Sequence, residues 1–202
     1  MKRLVIAVDC DDVLVPTTPF FVEYYNQKYG TNVALAEAHI DSDDIWGVSH
    51  DEMLERFGEL MLTDAYRTLG PSEVEVAVLT ELAKHHELHL VTARKEHERQ
   101  ATQEMLDTQL PGVFTSMEFV GWNGSKGEVC KQLGADVLVD DSSRHLHNAI
   151  ELGLSRTGAI LFGDYAWNET SHSHDDLTHC ADWPAVKKVI DALASQDEHA
   201  NK

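Results

Sequence analysis

The sequence predicts an α/β fold: a three-layer α/β/α arrangement of helices on both faces of a parallel sheet, with a small all-helical insertion after the first strand. Three observations carry this. From residue 71 onward, short apolar runs alternate with helical stretches in a regular rhythm. The runs at 4–8, 88–91 and 137–139 are almost continuously apolar, as strands buried on both faces are. Between the first run and the next, residues 16–70 show helical periodicity without a strand signal.

The elements follow in order. LVIAV, residues 4–8, is the first strand. TTPFFVEYYNQKYG, 17–30, reads as a helix, with threonines and Pro19 in its first turn and Gly30 at its end. Residues 35–45 are acidic and weakly patterned. The stretch 49–70 is helical, with Met53, Leu54, Phe57, Leu60 and Met61 at helical spacing, and Gly70-Pro71 breaks the chain. A helix over 72–85 is capped at Ser72, with Val76, Leu79 and Leu82 inside. ELHLVTAR supplies a strand ending at Thr92, and 95–108 a helix. MEFVG supplies a strand at 117–121, and 126–133 a helix closed by Gly134. ADVLVDD supplies a strand ending at Asp140, and 142–152 a helix closed by Gly153. A strand at 157–163 and a helix in DWPAVKKVIDAL complete the chain. A core of 1–15 plus 71–202 is therefore expected, with 16–70 as a helical cap. Residues 164–182 read as a polar loop, and the last seven or so as a frayed end.

Composition bounds the function. With 202 residues, one domain with a sizeable core and a small insertion is expected. Lys plus Arg number 16 against 35 Asp plus Glu, a formal charge of −19. That argues against a nucleic-acid polymer or an anionic membrane as partner, but not against a small anionic substrate bound locally with a metal. No apolar run approaches the ~18 residues of a membrane span, and MKRLVIAVDC reads as a first strand rather than a signal peptide. Cys10, Cys130 and Cys180 are scattered, which suits a reducing cytoplasm. Oligomeric state is not legible.

Polar residues stand where the predicted strands end. The first ends in Asp9 and Asp11, the second in Thr92, the fourth in Asp140-Asp141, and Lys126 opens the helix before that fourth strand. In an open parallel sheet these ends border the ligand crevice. Alone, each residue has an ordinary explanation as a cap or a solvated side chain. Together they make one chemistry, phosphoryl transfer through an aspartyl-phosphate. Asp9 would attack phosphorus. Mg²⁺ would be held by Asp9 and Asp140. Asp11 would protonate the leaving oxygen and then activate water. Thr92 and Lys126 would hold the transferring oxygens, helped by backbone N–H groups after Asp9.

The four segments DCDDV, LHLVTAR, GSKGEV and VLVDDS, in this order, resemble the motifs of the haloacid-dehalogenase-like phosphohydrolase superfamily over nearly the whole core. The resemblance implies a HAD-like Rossmannoid fold with a type-1 cap. It makes Asp9 nucleophile and metal ligand, and Asp11 acid/base with its carbonyl on Mg²⁺. Thr92, Ala93 and Lys126 fall on phosphate, Asp140 on Mg²⁺, and Asp141 in support. Asp11 favours a phosphatase over a dehalogenase, because an ester leaving group needs a proton and a halide does not. The following position, often Gly in the superfamily, is Asp12. A narrower resemblance, carried by VTAR, VLVDDS and AILFGDYAWN, is to the 5'(3')-deoxyribonucleotidase-like branch.

That branch implies a nucleoside monophosphate as substrate; a sugar phosphate or another small metabolite is the alternative. A phosphotransferase, or a catalytically silent binding protein on the same fold, would share the architecture. Cap closure would exclude water from the first half-reaction and admit it to the second. Phe20, Phe21, Tyr24 and Trp46 are the candidate base contacts; the competing assignment is cap core. His172, His174, His179 and Cys180 share a stretch whose spacing fits no zinc finger. His85, His86 and His89 are expected at the surface or a helix end.

Overall fold

The computed structural model describes residues 2–40, 42–169 and 177–196. Six strands, β1 (Val5–Val8), β2 (Glu87–Thr92), β3 (Phe114–Phe119), β4 (Val137–Asp140), β5 (Ala159–Phe162) and β6 (Thr178–Cys180), form one sheet in the order β3-β2-β1-β4-β5-β6. Every pairing is parallel. The chain runs outward from β1 to β2 and β3, then returns to β4 on the other side, so strand order reverses between β1 and β4. The carboxyl ends of those two strands therefore border an open crevice.

The helices are α1 (Thr17–Tyr29), α2 (Asp43–Trp46), α3 (His50–Met61), α4 (Asp64–Arg67), α5 (Glu73–Ala83), α6 (Arg99–Gln109), α7 (Lys126–Leu133), α8 (Ser143–Glu151), α9 (Ala166–Glu169) and α10 (Trp183–Gln196). Strand alternation splits the core into two layers. Ile6, Val8, Leu88, Leu90, Val137, Val139 and Ile160 pack against Leu79 and Leu82 of α5, Met105 and Leu106 of α6, and Val186 and Ile190 of α10. On the other face Ala7, Val91, Leu138 and Leu161 meet Cys130 of α7 and Leu146 and Ala149 of α8. Helices α1–α4 bury a third cluster of their own, built on Phe21, Val22, Tyr25, Trp46, Leu60 and Tyr66. No described helix is long and apolar enough to cross a membrane.

Three expectations are corrected. The third strand is Phe114–Phe119 and not 117–121; as the edge of the sheet it tolerates Thr115 and Ser116, which hide its first half from a hydrophobicity reading. The helical stretch 49–70 divides, because Thr63 starts α4 by accepting a hydrogen bond from the Tyr66 N–H (3.2 Å). Part of the expected polar loop is structured: α9 lies within it, and Thr178–Cys180 pairs with β5 as a second edge strand. Residues 197–202, the expected frayed end, lie outside the described residues, as do His172 and His174.

Candidate active site

The first strand delivers its acid rigidly. The Asp9 N–H donates to the Val139 carbonyl (3.0 Å), continuing the β1–β4 ladder one residue beyond β1. The chain then turns sharply: the Leu14 and Val15 N–H groups both donate to the Cys10 carbonyl (2.9 and 3.0 Å). Asp12 takes φ 58°, the sole positive φ among described residues other than glycine. Aspartate tolerates this left-handed conformation better than most side chains, which explains how it stands where the resemblance leads one to expect glycine. Its carboxylate turns back onto α1 and accepts hydrogen bonds from the Thr18 N–H (2.9 Å) and hydroxyl. That supplies the cap that Pro16, at the N-cap position, cannot.

Lys126 reaches the crevice because α7 is pinned at its start. Ser125 caps the helix through the Glu128 N–H (3.0 Å), and Gly127 lies so close to α8 that a Cβ there would stand 2.7 Å from Asn148 Oδ1. The Lys126 Nζ is 1% exposed and sits 2.8 Å from Asp9 Oδ2 and 2.7 Å from Asp140 Oδ2. The other Asp140 oxygen accepts from the Ser142 N–H (2.9 Å). Asp141 accepts from the Trp167 indole N–H (3.0 Å), and Trp167 stacks on Tyr165 at 4.3 Å and packs against His39 of the helical insertion.

Charge is unbalanced here. Burial pushes the Asp9 carboxyl up to about 7 against the pull of Lys126, and the Asp140 and Asp11 charges add to the rise. Burial, with the Asp140 charge, also holds Asp141 well above the usual carboxylate range. Burial opposes the Lys126 charge, but Asp140 and Asp9 outweigh it and keep the ammonium above its usual value. Asp9, Asp140 and Asp141 each present an oxygen within 4.8 Å of the others. Three buried carboxylates against one lysine form an all-oxygen donor set with negative charge in excess, which suits a hard divalent cation.

Asp11 behaves differently. Arg94, two residues past β2, donates to both of its oxygens, Nε to Oδ2 at 2.9 Å and Nη2 to Oδ1 at 2.7 Å. Arg94 also donates to Tyr66 Oη and Thr102 Oγ1, each at 2.9 Å. Burial raises the Asp11 carboxyl, but Arg94 outweighs it, with Thr17 adding a hydrogen bond, and holds the group below the usual carboxylate value. Thr92 is fully buried, and its hydroxyl oxygen accepts from the Arg94 N–H (3.1 Å).

A cavity of about 420 Å³ opens over this cluster, with Asp9, Asp11, Ala93, Lys126 and Asp141 in its lining. Thr92 and Asp140 lie beneath that surface, 0% exposed. Trp46, Phe20, Phe21 and Tyr24 do not line it, so the expected base contacts are not placed as such. Trp46 and Phe21 are buried in the α1–α4 cluster, where the Phe21 and Trp46 rings meet tilted with centroids 5.5 Å apart, and Phe20 and Tyr24 pack against the same cluster. The aromatic rings that reach the cavity are Phe57, Tyr66, Trp122 and Trp167, together with the imidazoles of His39, His97 and His145. Arg94 and Trp167 stand in the segments VTAR and AILFGDYAWN, where no local pattern marks either for a role.

Among the described residues, the remaining histidines do not form a metal centre. His179 lies on β6 with Nε2 3.0 Å from the Gly163 carbonyl, and Cys180 is buried. His86 and His89, expected at the surface or a helix end, are 3% and 5% exposed; His86 lies in the turn that follows α5, and His89 within β2. The Nδ1 of His86 accepts from the Leu4 N–H, and that of His89 lies 2.9 Å from Ser116 Oγ.

The chain is similar to known proteins in sequence and in fold. The sequence model of the 5' nucleotidase, deoxy (pyrimidine), cytosolic type C protein family matches residues 3–196. No curated protein matches the chain. Among solved structures, a conserved haloacid dehalogenase-like protein of unknown function from Agrobacterium tumefaciens is similar with TM-score 0.65, 15% identity, and 96% of this chain and 100% of that chain covered. A haloacid dehalogenase-like family hydrolase from Streptococcus pneumoniae gives TM-score 0.61 at 12% identity, with 95% and 97% covered. A HAD-superfamily hydrolase of subfamily IA from Geobacter sulfurreducens gives 0.59 at 14%, with 95% and 96% covered. At these identities the structural likeness speaks for the fold alone.

Proposed function

This chain belongs to the 5' nucleotidase, deoxy (pyrimidine), cytosolic type C family of HAD-like hydrolases, and from that membership we propose that it hydrolyses the phosphomonoester of a nucleoside monophosphate through an aspartyl-phosphate on Asp9. The observation that carries the reading is Lys126 bridging Asp9 and Asp140 at the floor of the cavity, at 2.8 and 2.7 Å. A carboxylate so held cannot rotate away, and an ammonium stands where charge on the transferring oxygens must be offset.

In the first half-reaction an Asp9 oxygen bonds to phosphorus while the bond to the leaving oxygen breaks, and Asp11, having taken up a proton from solvent as the ester binds, supplies that oxygen's proton. In the second, the oxygen of a water bonds to phosphorus, Asp11 takes the water's proton, and the Asp9–phosphorus bond breaks. Mg²⁺, held by the carboxylates of Asp9, Asp140 and Asp141 and the backbone carbonyl of Asp11, would offset the repulsion between these acids and the phosphoryl oxygens. Thr92, Ala93 and Lys126 orient the phosphoryl oxygens. Residues 16–70 act as a cap that closes over the cavity.

The test is phosphate release with Mg²⁺, and with EDTA, from deoxynucleoside and nucleoside monophosphates, sugar phosphates and an aryl phosphate. Deoxynucleotides are expected to lead, and Asp9→Asn to abolish release with the fold intact. Release led by sugar phosphates would replace the nucleotide assignment, and wild-type-like release by Asp9→Asn would remove the nucleophile.

A further inference from the structure

Gly58 has no structural reason to be glycine. Of the twelve glycines in the chain, seven take positive φ. Four more (Gly70, Gly124, Gly127 and Gly158) have a neighbouring atom closer than 3 Å to where a Cβ would stand. Gly58 has neither: its φ is not left-handed, and a Cβ there would meet no atom within 4 Å among the described residues. It sits in the interior of α3, where glycine is the least favourable residue after proline.

Beside it runs an apolar stripe that the protein only half covers. Leu54, Phe57, Gly58 and Met61 stand at i, i+3, i+4 and i+7, one face of the helix, and all four line the cavity over Asp9 and Lys126. The three side chains are half-buried and Gly58 is exposed, so this stripe is not fully covered by protein. Gly58 and Met61 also line a second cavity of about 330 Å³ that adjoins the first through Tyr66, Arg94 and His97. On the core side of the first cavity stands Trp122, 42% exposed, with the Lys95 ammonium 4.6 Å from its ring centroid. A bare patch of helix backbone between large apolar side chains leaves a shallow slot. Hydroxyls of a simple sugar would lose water against such a wall without gaining partners, whereas a flat ring would lose nothing there.

We propose that Gly58 is a specificity-determining residue: the leaving group carries a flat, apolar-faced ring that lies against the exposed backbone of α3 at this position. The inference rests on the phosphatase reading above and deepens it, since it locates the leaving group on α3 and ties the size limit to one missing methyl.

The test uses the full chain with Mg²⁺, thymidine 5'-monophosphate and p-nitrophenyl phosphate as substrates, and inorganic phosphate as a competitive inhibitor that reads the phosphate end alone. Gly58→Ala is expected to raise Tm by ~2–4 °C, because alanine is the better helix former and meets nothing. Gly58→Leu is expected to raise KM for both ring substrates by roughly tenfold or more, with the Ki of inorganic phosphate moving by less than about twofold. An unchanged KM in Gly58→Leu would overturn the inference, and so would a phosphate Ki that rises in step with KM. A lower Tm in Gly58→Ala would show that glycine serves the fold instead. If the wild-type chain releases phosphate from neither substrate, the phosphatase reading falls, and that result is distinct from any difference between variants.

Discussion

Arg94 grips Asp11 across 83 positions of sequence, with two parallel hydrogen bonds at 2.9 and 2.7 Å. The Arg94 side chain is 7% exposed and spends two of its three remaining donors on Tyr66 and Thr102. Tyr66 belongs to α4 of the helical insertion and Thr102 to α6 of the core, so one side chain ties the acid to both parts of the molecule. The grip keeps Asp11 ionised. In the proposed reaction this suits Asp11 to accept a proton from water, and an arriving ester would have to weaken the Arg94 contact before Asp11 could carry a proton to the leaving oxygen.

Arg94→Lys is expected to retain the charge but lose the paired geometry. We expect kcat to fall by about 10²-fold, within the range attributed to general acid–base catalysis, with a smaller change in KM. Arg94→Ala should in addition destabilise the fold by ~3 kcal/mol, because it strands a partly buried carboxylate. Steady-state kinetics and urea unfolding read the two effects separately. A fully active Arg94→Ala would show that the Asp11 contact is incidental.

Lys126→Met keeps the unbranched stem of the side chain, one atom shorter, and removes its charge. Asp9 and Asp140 then face each other buried, without an ammonium. In EDTA the variant is expected to lose ~3–5 kcal/mol, and Mg²⁺ should return more stability to it than to the wild type. The comparison is of thermal midpoints in EDTA and in Mg²⁺ for both proteins. Equal midpoints in EDTA would contradict the idea that the lysine neutralises this pair.

Asp12 carries two separable duties, a left-handed turn and a cap on α1. Asparagine accepts the same φ and keeps an oxygen for the Thr18 N–H, so Asp12→Asn should be about neutral. Asp12→Gly keeps the turn and loses the cap, at a cost of ~1 kcal/mol. Asp12→Ala loses the cap and strains the backbone, adding ~1 kcal/mol. Urea unfolding should return the order Asn, Gly, Ala, and any other order would disconnect the residue from one of its duties.

How much of this could be read in one dimension depends on the distance over which the signal acts. Asp9, Thr92 and Asp140 each follow directly on an apolar run, and Lys126 follows a serine cap, so their positions at element ends were legible from neighbours alone. Arg94 stood in plain view, but its partner lies beyond any local pattern. Trp46 and Phe21 stayed open between core and pocket because an aromatic on a helix serves either equally well, and only the packing of α1 against α2 and α3 decides. Thr178–Cys180 is a strand because β5 offers it an edge, not because of its own residues. Gly58 carries no local signal beyond its poor helix propensity, and only the structure shows that nothing stands beside it.

His145 supplies a prediction about pH. It lies on α8, 8% exposed, with Nε2 3.3 Å from Arg144 Nη2. A guanidinium has no acceptor, so Nε2 must be accepting and the ring is neutral. Burial lowers its pKa to about 4; the Asp140 charge opposes the shift, while Lys126 and Arg144 add to it. An unfolded histidine titrates near 6.5, so between these values the unfolded chain binds the extra proton. The stabilisation is complete above about pH 7 and is lost as pH falls, by about 2 kcal/mol between pH 7.5 and 5. Carboxyls raised by burial, such as Asp9 and Asp12, act in the opposite sense, because their folded forms hold protons that the unfolded chain releases. The total pH dependence therefore mixes signs, and the informative quantity is a difference between proteins. His145→Gln cannot take up a proton, so relative to its own stability at pH 7.5 it should lose less than the wild type does at pH 5. Unfolding midpoints in urea at the two pH values give that difference directly, and parallel losses in both proteins would mean that His145 does not resist protonation in the fold.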